Sequence, residues 1–324
     1  MNRVSKTLLP IFLSFCLCFS GGCSQNAQEV PPTIRVGFSH AEAVNSWRMA
    51  QINSFRQKME TAGFEFIYTE PVEYTQQWQL SNIQQMLDEG LDFLILIPLN
   101  TEGYENIAAE AKTCGTQIIS LGQTLDGLVS GEDYLSSIYY DYTLAGELCG
   151  QTLIEDCGND PYHILEIQSN NPSISEGISK GFHKMIDNKP NASVIHSIEA
   201  DGNRITTQKL LEKILIQFHQ EDIQIDAVFA HNDEDGLGAL NAMKMAGIDL
   251  NTIDIVSING IQDVFKAIIA EEYLASVTCS PMIGPIAYNT ICLYLEGHRV
   301  PPYILVPCLL VDSSNARTSY INAY

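Results

Sequence analysis

The sequence predicts an α/β protein built from two doubly wound parallel-sheet domains. Three observations predict it. Short apolar, β-branched runs alternate with longer stretches whose apolar residues recur at helical spacing. The strand-like runs are apolar throughout, as in sheets covered on both faces. Finally, about 300 residues remain once an N-terminal segment is set aside, more than one core usually serves.

Element by element from Thr33, Ile34 to Phe38 predicts a strand and Trp47 to Ala62 a helix, with Met49, Ile52, Phe55 and Met59 at helical spacing and Gly63 ending it. Phe64 to Tyr68 predicts a strand, Thr75 to Glu89 a helix, Phe93 to Ile97 a strand stopped by Pro98, and Glu102 to Thr113 a helix. Gln117 to Leu121 and Ser136 to Tyr139 complete the first set of strands. The second half repeats the scheme: helix Tyr142 to Asp156, strand His163 to Gln168, helix Ser175 to Asp187, strand Ser193 to Ile198, and helix Ile205 to Phe218. Strand Ala227 to Ala230, helix Gly236 to Ala246 and strand Asp254 to Ile258 follow.

Right-handed crossovers place the C-terminal ends of such strands on one edge, where ligands bind. The segments after the strands are therefore the informative ones: 39–48, 98–101, 122–124, 169–176, 201–204, 231–235 and 259–262. They are rich in Asn, Asp, Gln, Ser and Arg, groups that hydrogen-bond hydroxyls directionally.

The N-terminal segment reads as an address. Arg3 and Lys6 precede Leu8 to Phe19, a run of about 12 apolar or small residues, ~18 Å as a helix and too short to span a bilayer. Ser20-Gly21-Gly22 then leads to Cys23, as at a bacterial lipoprotein processing site, with Ser20 standing where leucine is usual. Residues 1–23 are thus expected to be a signal peptide and Cys23 the acylated residue, while a plain secretory signal is the other reading. Residues 24–32 read as a polar tether ending in two prolines.

The formal charge of −22, from 17 Lys+Arg against 39 Asp+Glu, excludes nucleic acid and disfavours anionic ligands. Of the nine cysteines, Cys114, Cys149, Cys157, Cys279, Cys292 and Cys308 lie beyond the leader; none sits in a spacing suited to metal, so no metal site is expected. Cys149 and Cys157 either pair in an oxidising compartment or stay as buried thiols. No GxSxG, Walker A or HExxH motif is present, so neither an enzyme nor a cofactor is expected.

Several local signatures occur in a telling order: VGFS at 36–39 with Ser46-Trp47-Arg48, LILIPLNTEG at 94–103, Asp141-Tyr142 with Gly146, Lys180-Gly181-Phe182, AHNDEDGLGAL at 230–240, Ile258-Asn259-Gly260, and ASVTCSP at 275–281. In combination they resemble the type I periplasmic binding proteins that serve ABC transporters for monosaccharides, most of all the galactofuranose-binding branch. The resemblance implies two lobes joined by three hinge crossovers, a first lobe of 33–138 and 260–302, and a second of 139–259 and 303–324. Asn259-Gly260 would then sit where the chain passes between lobes. It further implies a monosaccharide or polyol ligand, an ABC permease as partner, or alternatively a membrane histidine kinase or chemoreceptor, and contact with the membrane only through a lipid anchor.

The resemblance places Trp47 and Arg48 on the sugar, the ring stacking on C–H groups and the guanidinium donating to oxygens. Packing of Trp47 in the core is the competing reading. Asn232 and Asp233 are ligand candidates that would serve equally as helix caps. Asn45, Asn100, Gln123, Ser173, Glu176, Arg204 and Asn259 complete the candidate set. Three departures stand out: Gly122-Gln123 replaces an Asp-Arg pair, Ile178 an arginine, and Asn259 an aspartate. These argue for a less ionic cleft and a ligand other than galactofuranose itself. His40 and His231 are read as structural.

Overall fold

The computed structural model describes residues 33–324, apart from the side chains of Asp156, Ser173 and Asn322. The expectations for the signal segment, the tether and Cys23 lie outside the described residues.

The first lobe begins with β1 (Arg35–Ser39), α1 (Ser46–Thr61), β2 (Glu65–Tyr68), α2 (Gln76–Asp88), β3 (Phe93–Leu96), α3 (Glu105–Cys114), β4 (Gln117–Leu121) and β5 (Ser136–Tyr140). The second continues with α4 (Tyr142–Asp156), β6 (Tyr162–Ser169), α5 (Pro172–Ile186), β7 (Ala192–Ala200), α6 (Arg204–Gln220), β8 (Ala227–Ala230), α7 (Asp233–Ala246), β9 (Asp254–Asn259), α8 (Gln262–Ile269) and β10 (Ala275–Thr278). The chain closes with α9 (Gly284–Leu295), β11 (Tyr303–Val306), β12 (Leu310–Asp312) and the short α10 (Ala316–Ser319).

The strands form two six-stranded sheets among the described residues, ordered β11-β5-β4-β3-β1-β2 and β12-β10-β9-β8-β6-β7. Each winds the same way around a switch point, β1/β3 in one and β6/β8 in the other. All the pairings are parallel except β10 with β12. Period-two alternation buries both faces. In β3, Phe93 and Ile95 face the α1/α9 layer while Leu94 and Leu96 face α2 and α3; in β8, Ala227 and Phe229 oppose Val228 and Ala230 in the same fashion.

Two glycines set the closeness of α4 and α5. A Cβ on Gly146 would lie 2.0 Å from the Ile178 carbonyl oxygen, and one on Gly181 would lie 1.9 Å from that of Thr143. The two backbones touch where any side chain would part them, and Phe182 then stacks on Phe229 with ring centroids 4.0 Å apart.

The sheets correct the expected lobe boundaries. Segment 260–278 stays with the second lobe, because β10 pairs with β9 in the register Val277↔Ile258. Conversely β11, expected in the second lobe, pairs with β5 in the first, Leu305 opposite Tyr139. The chain therefore crosses between lobes at 140–142, 278–284 and 306–310. Asn259-Gly260 is not a crossing. With φ of 129° and 80° the pair makes the tight turn that feeds β9 into α8.

Candidate functional site

The C-terminal ends of β1 and β3 face those of β6 and β8, so both switch points open on one cleft of about 420 Å³. Such junctions are where doubly wound sheets hold ligands. The first lobe supplies Glu42, Ala43, Asn45 to Arg48, Ile97, Pro98, Gly122, Gln123 and Tyr140; the second supplies Tyr142, Ser169 to Asn171, Ile174, Ile178, Asp201, His231, Asn232, Glu234 and Asn259.

A larger groove of about 860 Å³ lies on the outer side of the second lobe, among Leu215, Ile216, Phe218, Ile223 and Met245. It sits where β8 and β9 begin, at the opposite edge of the sheet, and has few convergent polar groups. The cleft is the better ligand site on both counts.

Trp47 opens α1 on the cleft wall. Its indole N–H donates to the Cys279 carbonyl at 2.9 Å, and its ring meets Tyr140 edge-on at 6.2 Å. Tyr140 in turn donates to the Ser280 carbonyl at 2.5 Å. The aromatic wall is thus fastened to the second crossover.

Among the described residues, Arg48 is the only lysine or arginine lining the cleft. It bonds Glu42 and Gln51 and lies 5.4 Å from the Trp47 ring centroid. Glu42 also accepts from Asn171 Nδ2 at 3.5 Å, a contact that bridges the lobes. Burial first, and then the Arg48 charge, push His40 down to about 3, so it is a neutral hydrogen-bond partner for Tyr68 at 3.0 Å.

The caps of α1 and α7 come from the cleft edge. Asn45 Oδ1 accepts from the Arg48 N–H at 2.8 Å, and Asn232 Oδ1 accepts from the Asp235 N–H at 2.9 Å. Each amide keeps its –NH₂ end for other partners; that of Asn232 reaches Asp235.

Of the residues singled out from sequence, the fold gathers Asn45, Trp47, Arg48, Gln123, Asn232 and Asn259 around the cleft. It does not bring Asp233, Arg204, Asn100 or Glu176 there. Asp233 is wholly buried and accepts from Ser257 Oγ at 2.5 Å, Ser276 Oγ at 2.8 Å, and the N–H groups of Gly260 and Ile261 at 2.6 and 2.7 Å. It pins the turn that presents Asn259, with every lone-pair direction spent on protein. Burial nevertheless outweighs these bonds and raises its carboxyl to about 6.

Arg204 is engaged by Glu234 at 2.8 Å and Asp263 at 3.1 Å, holding Glu234 rather than facing the cleft itself. Asn100 is exposed and donates to Gln76 at 3.1 Å, and Glu176 is exposed on α5. Ser173 lies in the first turn of α5, and its side chain is outside the described residues.

Sequence reasoning missed Tyr140, Tyr142, Glu234 and Tyr324. Tyr324 lines the cleft, and its buried phenol oxygen has no hydrogen-bond partner among the described residues. No positional signal marks a residue so far along the chain. Behind the cleft, Glu166 lies fully buried on β6 and collects His231 Nε2 at 3.1 Å, Ser179 Oγ at 2.8 Å, Gln168 Nε2 at 3.0 Å and Ser197 Oγ at 3.1 Å. Burial alone would raise its carboxyl, but the bonds from His231 and Ser179 prevail and hold it at about 2. His231 lines the cleft and reaches back from it to this carboxylate.

Among the described residues no His, Cys, Asp or Glu cluster is arranged for a metal ion, and no helix is long and apolar enough to cross a membrane.

Two lobes of equal winding, with both switch points opening on one polar and aromatic cleft, have the build of a solute-binding protein. Residues 36–299 match the periplasmic binding protein domain, and the chain belongs to that family of binding proteins, not enzymes. It is similar to the galactofuranose-binding protein YtfQ of Escherichia coli K12, with 29% identity over 286 residues, covering 87% of this chain and 88% of that one. A crystal structure of a galactofuranose binding protein superposes with a TM-score of 0.78 at 27% identity, covering 89% of this chain and 98% of that one. The periplasmic component of the arabinose ABC transporter of Shewanella sp. ANA-3, bound to α- and β-L-arabinofuranose, gives 0.78 at 25% identity, covering 89% and 95%.

Proposed function

We propose that this chain is an exported lipoprotein, acylated at Cys23, that captures a neutral monosaccharide or related polyol between its lobes and delivers it to an ABC permease. The observation that carries the reading is the cleft's composition: among the described residues, the aromatic rings of Trp47, Tyr140 and Tyr142 line it together with the amides of Gln123, Asn171, Asn232 and Asn259, with Arg48 as the lone lysine or arginine. Aromatic faces suit the C–H side of a sugar ring, and amides give both donor and acceptor to hydroxyls.

Glu42, Asp201 and Glu234 against Arg48 leave the lining acidic, which favours neutral sugars over sugar acids and phosphates. The relatives named above for furanoses support a five-membered ring as one candidate form. Ile178 and Gln123 stand where that branch has charged groups, and so support a ligand with fewer directional hydroxyl contacts at those positions. Ligand bridging both lobes would favour closure through its higher affinity for the closed state.

The test is a thermal-shift screen of aldoses, furanose-forming pentoses and hexoses, polyols and sugar acids against the purified protein. A neutral sugar or polyol raises Tm, since a ligand that binds only the folded state stabilises it, and sugar acids do not. No shift from any neutral sugar or polyol at millimolar concentration overturns the assignment.

A further inference from the structure

The register of β10 against β12 pairs Ala275 with Asp312, Ser276 with Val311 and Val277 with Leu310. Continued by two residues, it sets Cys279 directly opposite Cys308. Thr278 N–H donates to the Leu309 carbonyl at 2.8 Å, while Leu309 N–H turns to Thr278 Oγ1 at 2.9 Å. The cysteine pair therefore occupies the next, non-hydrogen-bonded position, where facing side chains approach most closely. The two sulfurs lie 3.6 Å apart. By contrast, Cys149 and Cys157, which the sequence left as either a pair or buried thiols, turn their sulfurs to the carbonyls of Ser257 and Ile154.

Location gives the pair its interest. Cys279 is on the second crossover between lobes and Cys308 on the third, and Cys308 Sγ approaches the Asp141 carbonyl of the first at 4.0 Å. The Cys279 carbonyl is also the acceptor for the Trp47 indole. Cys308 is half-buried and Cys279 buried, so an external reagent reaches Cys308 first. The hydrogen bond between the two thiols pulls Cys308 down, which favours its thiolate.

We propose that Cys279 and Cys308 are a disulfide site that ties two of the three hinge crossovers together. The oxidant is a disulfide, whether protein-borne or of low molecular weight. Cys308 thiolate attacks one sulfur of the oxidant, breaking its S–S bond and releasing one thiolate. Cys279 then gives its proton to solvent and attacks the Cys308 sulfur, expelling the second. One disulfide is consumed, one is formed, and two thiols leave. Geometry suits the product, since a bridge needs Cβ atoms about 3.5–4.5 Å apart, close to the spacing of such a cross-strand pair.

The experiment oxidises the reduced, folded chain with glutathione disulfide, then alkylates free thiols under denaturing conditions and maps the peptides by mass. The expected product is a peptide joining Cys279 to Cys308, lighter by two hydrogens than the sum of the reduced pair, with Cys149 and Cys157 recovered alkylated. Recovery of Cys279 and Cys308 as free thiols, or as separate glutathione adducts, overturns the proposal. The hinge role is read separately: oxidation raises the Tm of the unliganded wild type and leaves that of the Cys308→Ser variant unchanged. A cross-linked wild type with an unaltered Tm refutes the tie between crossovers. No ligand enters either measurement, so the outcome is independent of the sugar assignment.

Discussion

Replacing Glu166 by glutamine removes an ionised group from the interior of the second lobe while keeping its shape. In the folded protein this carboxyl is held at about 2 against a usual value of 4.5. A depressed acid contributes stability that is present above the unfolded value and lost as pH falls through the folded one. Here the contribution is complete above about pH 4.5 and fades toward pH 2, and the difference corresponds to about 3 kcal/mol. The side chain is fully buried, so little of this is screened by solvent. The assay is urea unfolding of wild type and Glu166→Gln at pH 7, 5, 4 and 3. Taking the difference at each pH cancels the titration of the other carboxylates. The variant should be less stable by up to ~3 kcal/mol at pH 7, with the gap closing steadily below about pH 4.5. A gap of constant size from pH 7 to pH 3 refutes the reasoning, because it would mean that shape rather than charge is what Glu166 contributes.

Two further outcomes follow from the cleft and the helix pair. Trp47→Phe keeps an aromatic face but deletes the N–H donated to the Cys279 carbonyl, so the unliganded protein should lose ~0.5–1.5 kcal/mol of stability. Urea unfolding of the unliganded protein reads this, and an unchanged stability would show that the bond contributes nothing there. Gly181→Ala should destabilise by at least ~1–3 kcal/mol, because the new methyl would meet the Thr143 carbonyl oxygen at 1.9 Å and force α4 from α5. Urea unfolding measures it, and a change within about 0.5 kcal/mol would show that the pair separates freely.

Much of the architecture could be read from apolar runs. Gln117 to Leu121 and Ala227 to Ala230 are strands residue for residue, since each run is buried on both faces and bounded by polar or turn residues. The final strands could not be read. Tyr303 and Leu305 of β11 are exposed and β12 spans three residues, so partner choice rests on tertiary pairing rather than on local pattern. The same limit misplaced the hinge: Asn259-Gly260 has the turn signature of a crossing, but only the pairing of β10 with β9 shows that the chain stays in its lobe. At the cleft, Asn232 and Asp233 are adjacent polar residues at one helix start, and nothing local tells which turns outward. The helix does so by sending Asn232 to the cleft edge and Asp233 into the core. Glu166 was invisible for a related reason, because an acid in a strand run reads as an outward residue until its donors, drawn from α5, β7 and the end of β8, are assembled around it.

Strands β11 and β12 come from one short stretch, Tyr303 to Asp312, yet each completes a different sheet. Neither sheet gains its edge strand until the stretch from Tyr303 to Asp312 has been made and has arrived. A chain halted before Tyr303 would leave β5 and β10 as two open margins, each offering unpaired backbone groups to any strand nearby. Among the described residues, both halves are thus sealed by one short segment that is made after every other strand of either sheet. A product truncated before this segment is marked by two sticky edges for aggregation.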